Sequence, residues 1–243
     1  MLLTILILSF LFGVVIGSFL NVCIYRIPKK ISIVSPPSSC TKCGYRLGVF
    51  DLIPLLSYLW LKGRCRRCGE QISWRYPAVE LLTGLLFVIA VYKFGISLLA
   101  LKLIVFGCLV ITISFIDLEL KIIPNVLSLP GMVLGLLFSV QDIWNSILGL
   151  VIGFGIIFLV ALLCPGGMGM GDAKLLGMIG AFFGWKVALG TLFLGSLYGS
   201  VIGIALLVLR KIERKTPIPF GPYLCLGALT LLFAEPVMKL FPW

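Results

Sequence analysis

Apolar and polar residues fall in long blocks along this chain. An unbroken apolar run over 2–24 gives way at Arg26 to a polar stretch over 26–76. Further apolar segments lie at about 77–92, 97–116, 122–140, 143–164, 173–185, 187–209 and 219–240. Most have the roughly 20 residues a helix needs to cross about 30 Å of hydrocarbon. The pattern predicts an all-α integral membrane protein of eight transmembrane helices. The first helix occupies 1–25, a loop domain 26–76, and the other seven helices 77–243. A cleaved signal peptide would carry its positive charge before the apolar run, and none stands there, so residues 2–24 read as a membrane helix. Gly13, Gly17 and Ser18 supply it with small packing positions. Segment 173–185 is short for a crossing and begins beside a glycine-rich turn, so a re-entrant path competes there.

Composition and charge narrow this picture. Of the 243 residues 60% are hydrophobic and 12% charged, against about 45–50% and about 25% in soluble domains. One core could not hide so much apolar surface, which leaves the bilayer as solvent. The net charge of +11 could suit nucleic acid, but its placement does not. Ten of the 20 Lys and Arg lie between Arg26 and Arg75, and four more between Arg210 and Lys215. Such clusters mark cytoplasmic loops under the positive-inside rule, and no nucleic-acid partner is expected. Eight crossings with an outer N-terminus put 16 basic residues inside and leave only Lys93, Lys102, Lys186 and Lys239 outside. Omitting segment 173–185 would expose Arg210–Lys215 on the outer face. The charge distribution therefore favours eight crossings, both termini outside and the loop 26–76 inside.

The chain has no histidine, which excludes Ser-His-Asp and Cys-His hydrolysis, HExxH metalloprotease chemistry and histidine-based iron sites. Cysteine is informative instead. Cys40 and Cys43, then Cys65 and Cys68, form two Cys-x-x-Cys pairs separated by 21 residues, each followed by glycine, Gly44 and Gly69. Glycine permits the tight turn that brings two thiolates to one ion, and the pattern resembles a zinc ribbon or knuckle. Two disulfides or free thiols are the rival readings. A reducing cytoplasmic compartment favours structural zinc, and a loop of about 50 residues needs such a staple. The other four cysteines, 23, 108, 164 and 225, stand in apolar runs and read as small hydrophobes.

Only nine acidic residues are present. Asp51, Glu70, Asp142 and Glu213 read as solvated loop residues, and Glu235 as interfacial near the outer end of the last helix. Glu80, Asp117, Glu119 and Asp172 fall at membrane depth, where an ionisable group is costly unless it works. Asp117 ends the third predicted helix and Asp172 opens the sixth, both at the cytoplasmic face. Paired carboxylates can hydrolyse a peptide without histidine: one ionised, to take a proton from water, the other protonated, to donate to the carbonyl. Asp172 follows a glycine-rich run, Gly166-Gly167-Met168-Gly169-Met170-Gly171, in which backbone can approach a bound peptide. A connector with Asp172 capping the helix is the plainer reading, but it leaves Asp117 unexplained.

Gly169-Met170-Gly171-Asp172 matches the Gly-x-Gly-Asp motif of intramembrane aspartyl proteases. The chain resembles the type IV prepilin peptidases over its whole length: Gly17-Ser18-Phe19-Leu20-Asn21-Val22 with Arg26 and Pro28; the Cys pairs; Pro77 to Gly84; Asp117 with Ile123-Pro124-Asn125; Gly166–Lys174; and Pro219-Phe220-Gly221-Pro222. The resemblance implies eight helices in the bacterial inner membrane and an aspartic endopeptidase with Asp117 and Asp172 as its dyad. Gly169, Gly171 and Lys174 would belong to the active-site motif. Cleavage would follow a glycine in the leader of type IV prepilins or type II secretion pseudopilins. Many members also methylate the new N-terminus with S-adenosylmethionine. Glu80 would then serve substrate binding or methyl transfer, and could pair with a basic residue of the leader. No soluble methyltransferase signature such as a Rossmann glycine loop is present. Two readings compete with the peptidase. One is a proton-coupled transporter using its intramembrane acids, although no internal repeat is seen and the acids gather at one face. The other is a scaffold whose zinc loop docks a partner, which leaves the acids without purpose.

Overall fold

Small residues decide how the helices of this chain meet. The computed structural model describes residues 1–164, 168–209 and 218–233. Gly166, Gly167, Arg210–Lys215, Glu235 and Lys239 lie outside the described residues. Among the described residues eight α-helices follow in order: α1 Leu2–Arg26, α2 Leu56–Trp60, α3 Arg75–Phe94, α4 Leu98–Leu120, α5 Asn125–Phe138, α6 Ile143–Leu163, α7 Met170–Val208 and α8 Gly221–Phe233. A 3-10 turn, Val49–Leu52, precedes α2, and another, Val140–Asp142, leads into α6. Among the described residues five helices are long and apolar enough to cross a membrane: α1, α3, α4, α7, and α6 together with its leading turn. The apolar helices α5 and α8 are shorter. α3 starts ahead of the apolar run and takes Pro77 into its first turn, where the missing amide hydrogen costs nothing. The chain divides into two compact units, Met1–Thr112 and Ile113–Trp243, with the boundary inside α4.

In the first unit α1 and α3 run antiparallel with their backbones in contact. A Cβ on Gly13 would lie 2.8 Å from the Gly84 Cα, and one on Gly17 would lie 2.7 Å from the Glu80 Cα. Further along the same seam, the Asn21 amide donates to the Tyr76 carbonyl at 3.0 Å. α4 packs on α3 where Gly107 receives the Leu86 side chain.

The second unit is built on α7. Gly180 crosses Gly149 of α6 so closely that a Cβ would fall 2.0 Å from the Gly149 oxygen. Gly153 meets the Leu176 carbonyl in the same seam, so α6 runs antiparallel to the start of α7. α5 adds Gly135 against Phe182, and Ser139, just past its end, donates to the Phe182 carbonyl at 2.9 Å. Along the later part of α7, Gly195 touches Leu224 and Gly227 approaches the Thr191 oxygen, which seats α8 antiparallel to it.

α7 is not a straight rod. Gly184 has φ 81° and ψ 178°, a conformation closed to other residues, and the Asn145 side chain occupies the space where a Cβ would stand. The contacts fix how far the chain turns there. Gly171 and Gly221 both lie against Ile123, while Tyr223 sits beside Gly199. In a straight helix, residues 171 and 199 would be about 42 Å apart at 1.5 Å per residue. The chain therefore reverses at Gly184, and residues 170–183 and 185–208 are two limbs of a helical hairpin. This reversal returns the chain to the level of Asp172 and lets α8 begin there.

Candidate active site

The site of the second unit is assembled where α4 ends, α5 begins and the first limb of α7 starts. α4 stops because Lys121 takes a left-handed conformation, φ 56°, while its amide still donates to the Asp117 carbonyl at 2.8 Å. Pro124 then caps α5 in an extended conformation. Asp117 stands one turn before the end of α4 and is 5% exposed. Its Oδ2 accepts a hydrogen bond from the Gly221 amide at 3.1 Å. Asp172 is in the first turn of α7, where its Oδ2 accepts from the Gly169 amide at 3.2 Å. The helix-capping reading of Asp172 is met by this bond, made from the third position of the helix.

Both aspartates line one cavity of about 280 Å³, with Gly169, Gly171, Lys174 and Asn125 among the other walls. Lys174 Nζ donates to Asn125 Oδ1 at 2.8 Å and ties the start of α7 to the start of α5. Ile123 is wedged between two glycines: a Cβ on Gly171 would lie 2.9 Å from it, and one on Gly221 3.3 Å. The structure therefore gathers Asp117, Asp172, Gly169, Gly171 and Lys174 at one place. Gly221, Ile123 and Asn125 join them. The sequence showed these three only as parts of matching stretches, because a backbone donor or a packing wedge has no residue signature of its own. Two carboxylates sharing a cavity repel when both are ionised, an arrangement that favours keeping a proton on one of them.

The first unit brings the four cysteines together. Each Cys-x-x-Cys forms the same knuckle. The Cys40 amide donates to the Tyr45 carbonyl and the Gly44 amide to that of Cys40; the Cys65 amide donates to the Glu70 carbonyl and the Gly69 amide to that of Cys65. Gly44 and Gly69 adopt φ 69° and 70°, and an isolated antiparallel bridge closes each knuckle, Ser39 with Arg46 and Arg64 with Gln71. All four sulfurs lie within 4.8 Å of one another, with Cys40 to Cys68 at 3.8 Å and Cys43 to Cys65 at 4.0 Å. Tetrahedral zinc with bonds of about 2.3 Å needs sulfurs about 3.8 Å apart, so the cluster fits that ion. The amides of Cys43 and Lys42 pull the Cys40 thiol down to about 6. At Cys68 the Glu70 amide also lowers the thiol, but burial and the neighbouring sulfurs outweigh it and push it up to about 12. A salt bridge joins Lys42 to Glu70 across the two knuckles, and another joins Arg66 to Asp51 at 2.8 Å.

Glu80 is also in the first unit, 7% exposed on α3. Its Oε2 accepts from the Leu55 amide at 2.8 Å. Leu55 is left-handed, φ 61°, and directly precedes α2. A cavity of this unit, of about 560 Å³, is lined by Tyr58, Lys62, Glu70, Gln71, Ser73 and Trp74 among others.

Residues 11–94 match the model of the bacterial peptidase A24 N-terminal domain, and residues 104–204 match that of the type IV leader peptidase family. The Bacillus subtilis (strain 168) prepilin leader peptidase/N-methyltransferase is 36% identical over 237 residues, which cover 96% of each chain. The Pseudomonas putida protein of the same description is 34% identical over 262 residues, covering 95% of this chain and 91% of the relative. No solved structure matches the chain.

Proposed function

The chain belongs to the type IV leader peptidase family, and on that footing we propose that it is a membrane aspartic endopeptidase acting through Asp117 and Asp172. It removes the leader of type IV prepilins or type II secretion pseudopilins after a glycine, and it N-methylates the residue so exposed. The observation that carries the assignment is the shared cavity in which each aspartate has one oxygen committed to a backbone amide. The proton-coupled transporter reading gains no support from the relatives.

The chemistry follows from that arrangement. The ionised carboxylate takes a proton from a water molecule, whose oxygen attacks the scissile carbonyl carbon. The protonated carboxylate gives its proton to the carbonyl oxygen. When the tetrahedral species collapses, the carbon–nitrogen bond breaks, the amine takes the proton gained from water, and a hydroxyl of the tetrahedral species returns its proton to the other carboxylate, which restores the shared one. The amides of Gly221 and Gly169 fix the two carboxylates in advance, and the glycine wall gives an extended peptide room to approach. Lys174, through Asn125, holds the two helix starts together around the pair.

We place eight crossings in the inner membrane, the two limbs of α7 counting separately, with both termini outside and the loop 26–76 and the dyad at the cytoplasmic face. Opposite directions for the limbs agree with the charge distribution. Cys40, Cys43, Cys65 and Cys68 would hold one structural zinc that fixes the two knuckles. The methyl donor is S-adenosylmethionine, which supplies an electrophilic methyl group when bound. The cavity beside the knuckles is of small-molecule size. Tyr58 and Trp74 offer it ring faces, Lys62 a cation and Glu70 an acceptor. Glu80 contributes through the loop backbone it holds at Leu55.

Purified enzyme mixed with a prepilin in detergent tests the dyad. Asp117→Asn and Asp172→Asn keep the acceptor oxygen for the amide, so each is expected to abolish cleavage while expression and thermal stability stay unchanged. Cleavage by either variant would refute the pair. Mass spectrometry of the wild-type product reads the cleavage site and the methyl mass together.

A further inference from the structure

The loop segment ahead of α3 carries apolar side chains that the protein itself leaves bare. In the five-residue helix α2, Tyr58 faces inward, donating to the Ile72 carbonyl at 3.4 Å and covering Gly63. Leu56, Leu59 and Trp60, at positions i, i+3 and i+4 of the same helix, face outward, with Leu59 72% and Trp60 84% exposed. The preceding 3-10 turn adds exposed Val49 and Phe50. Such a concentration of large apolar side chains on a segment with few others to pack against calls for an occupant.

The tether at Glu80 says where this face lies. The Leu55 amide, immediately before α2, is bonded to a carboxylate five residues into α3. That places the start of α2 about 7.5 Å along the helix axis from Arg75, at the depth where a membrane-crossing α3 passes from headgroups to hydrocarbon. A water-exposed loop would have no reason to draw its backbone down to that level. Charge agrees with depth. Residues 26–76 hold ten basic and two acidic residues, and Lys62, Arg64 and Arg67 beside α2 are exposed. Apolar and aromatic residues flanked by Lys and Arg are the signature of a segment lying in the plane of an anionic interface.

We propose that residues 49–60 form an in-plane membrane anchor, with Val49, Phe50, Leu56, Leu59 and Trp60 immersed in an anionic leaflet and Glu80 fixing the depth. The proposal rests on α3 crossing the membrane, but not on the assignment of the dyad. The anchor holds the cysteine knuckles and the adjoining cavity against the lipid surface from which a membrane-embedded substrate would arrive.

Full-length protein in lipid nanodiscs tests this, with Trp74, Trp144, Trp185 and Trp243 replaced by Phe so that only Trp60 emits. In phosphatidylglycerol discs, Trp60 emission should be blue-shifted, quenched several-fold by brominated acyl chains and shielded from acrylamide, with weaker shielding in phosphatidylcholine. Red-shifted emission open to acrylamide and indifferent to brominated lipid in phosphatidylglycerol would overturn the anchor. Shielding that appears only when prepilin is added would also overturn it, since the face would then be a substrate-docking surface. Cleavage of a prepilin by the same variant reports independently on the dyad. Should the replacements impair folding, amide exchange over 49–60 of the unaltered protein decides. Exchange several-fold slower in phosphatidylglycerol than in phosphatidylcholine supports the anchor, and equal exchange overturns it.

Discussion

Gly221 and Gly169 each lend an amide to one carboxylate of the proposed dyad, but with unequal room to spare. A Cβ on Gly221 would stand 2.6 Å from Asp117 Oδ2, whereas one on Gly169 would stand 3.3 Å from Asp172 Oδ2. Gly221→Ala must therefore displace the Asp117 carboxylate, and a misplacement of about 1 Å can cost about a hundredfold in rate. We expect that loss in prepilin cleavage with the thermal transition little changed, and a clearly smaller loss for Gly169→Ala. Equal losses, or none for Gly221→Ala, would show that the Gly221 amide does not position Asp117. Asp117 and Asp172 could be nominated from sequence because an acid at membrane depth is rare and costly. The donors that hold them could not, since a backbone amide belongs to every residue but proline and only the fold aims it. Glu80 shows the same limit from the other side. Its depth marked it for function, but nothing in its neighbourhood along the chain pointed to the amide of Leu55, 25 positions away.

At the level of elements, glycines admit the close contacts between helices, and Gly184 controls the most. It is where α7 reverses, and the reversal brings α8 back to Asp117. Gly184→Ala meets two obstacles: a backbone conformation that costs about 1–3 kcal/mol for other residues, and the Asn145 amide 2.4 Å from the new Cβ. We expect a lowered melting temperature in detergent together with loss of cleavage, and Asn145→Ala in the same chain should recover part of the stability by removing the second obstacle. An unchanged melting temperature for Gly184→Ala would mean that the limbs do not depend on this turn. The chain announced the two limbs indirectly. Apolar periodicity cannot separate one 39-residue helix from a hairpin, but the basic cluster at 210–215 demanded an even number of passes between it and Lys174. The small helix α2 stayed hidden because five residues are too few to display a period.

At the scale of the molecule, the helices and the loop over 26–76 are stabilised by different physics. The helices of both units interlock at glycine contacts. The loop of the first unit turns many of its large apolar residues outward, so little core is left to order the segment around the knuckles, and the proposed zinc would serve as its staple. One zinc per chain should be found on metal analysis of the purified protein. Because apo ligands repel and lose their common anchor, stripping the ion with a chelator should open Lys42, Arg46, Arg64, Arg66 and Arg67 to trypsin several-fold faster. Cys65→Ser with Cys68→Ser should reproduce this susceptibility without chelator. In both cases the helices of the second unit should remain resistant, since Gly149 and Gly180 pack no differently with the metal gone. Absence of zinc with all four thiols freely alkylated would refute the metal. Zinc present but trypsin indifferent to its removal would instead show that the backbone bonds within the knuckles, at 2.8–3.0 Å, suffice to hold the loop.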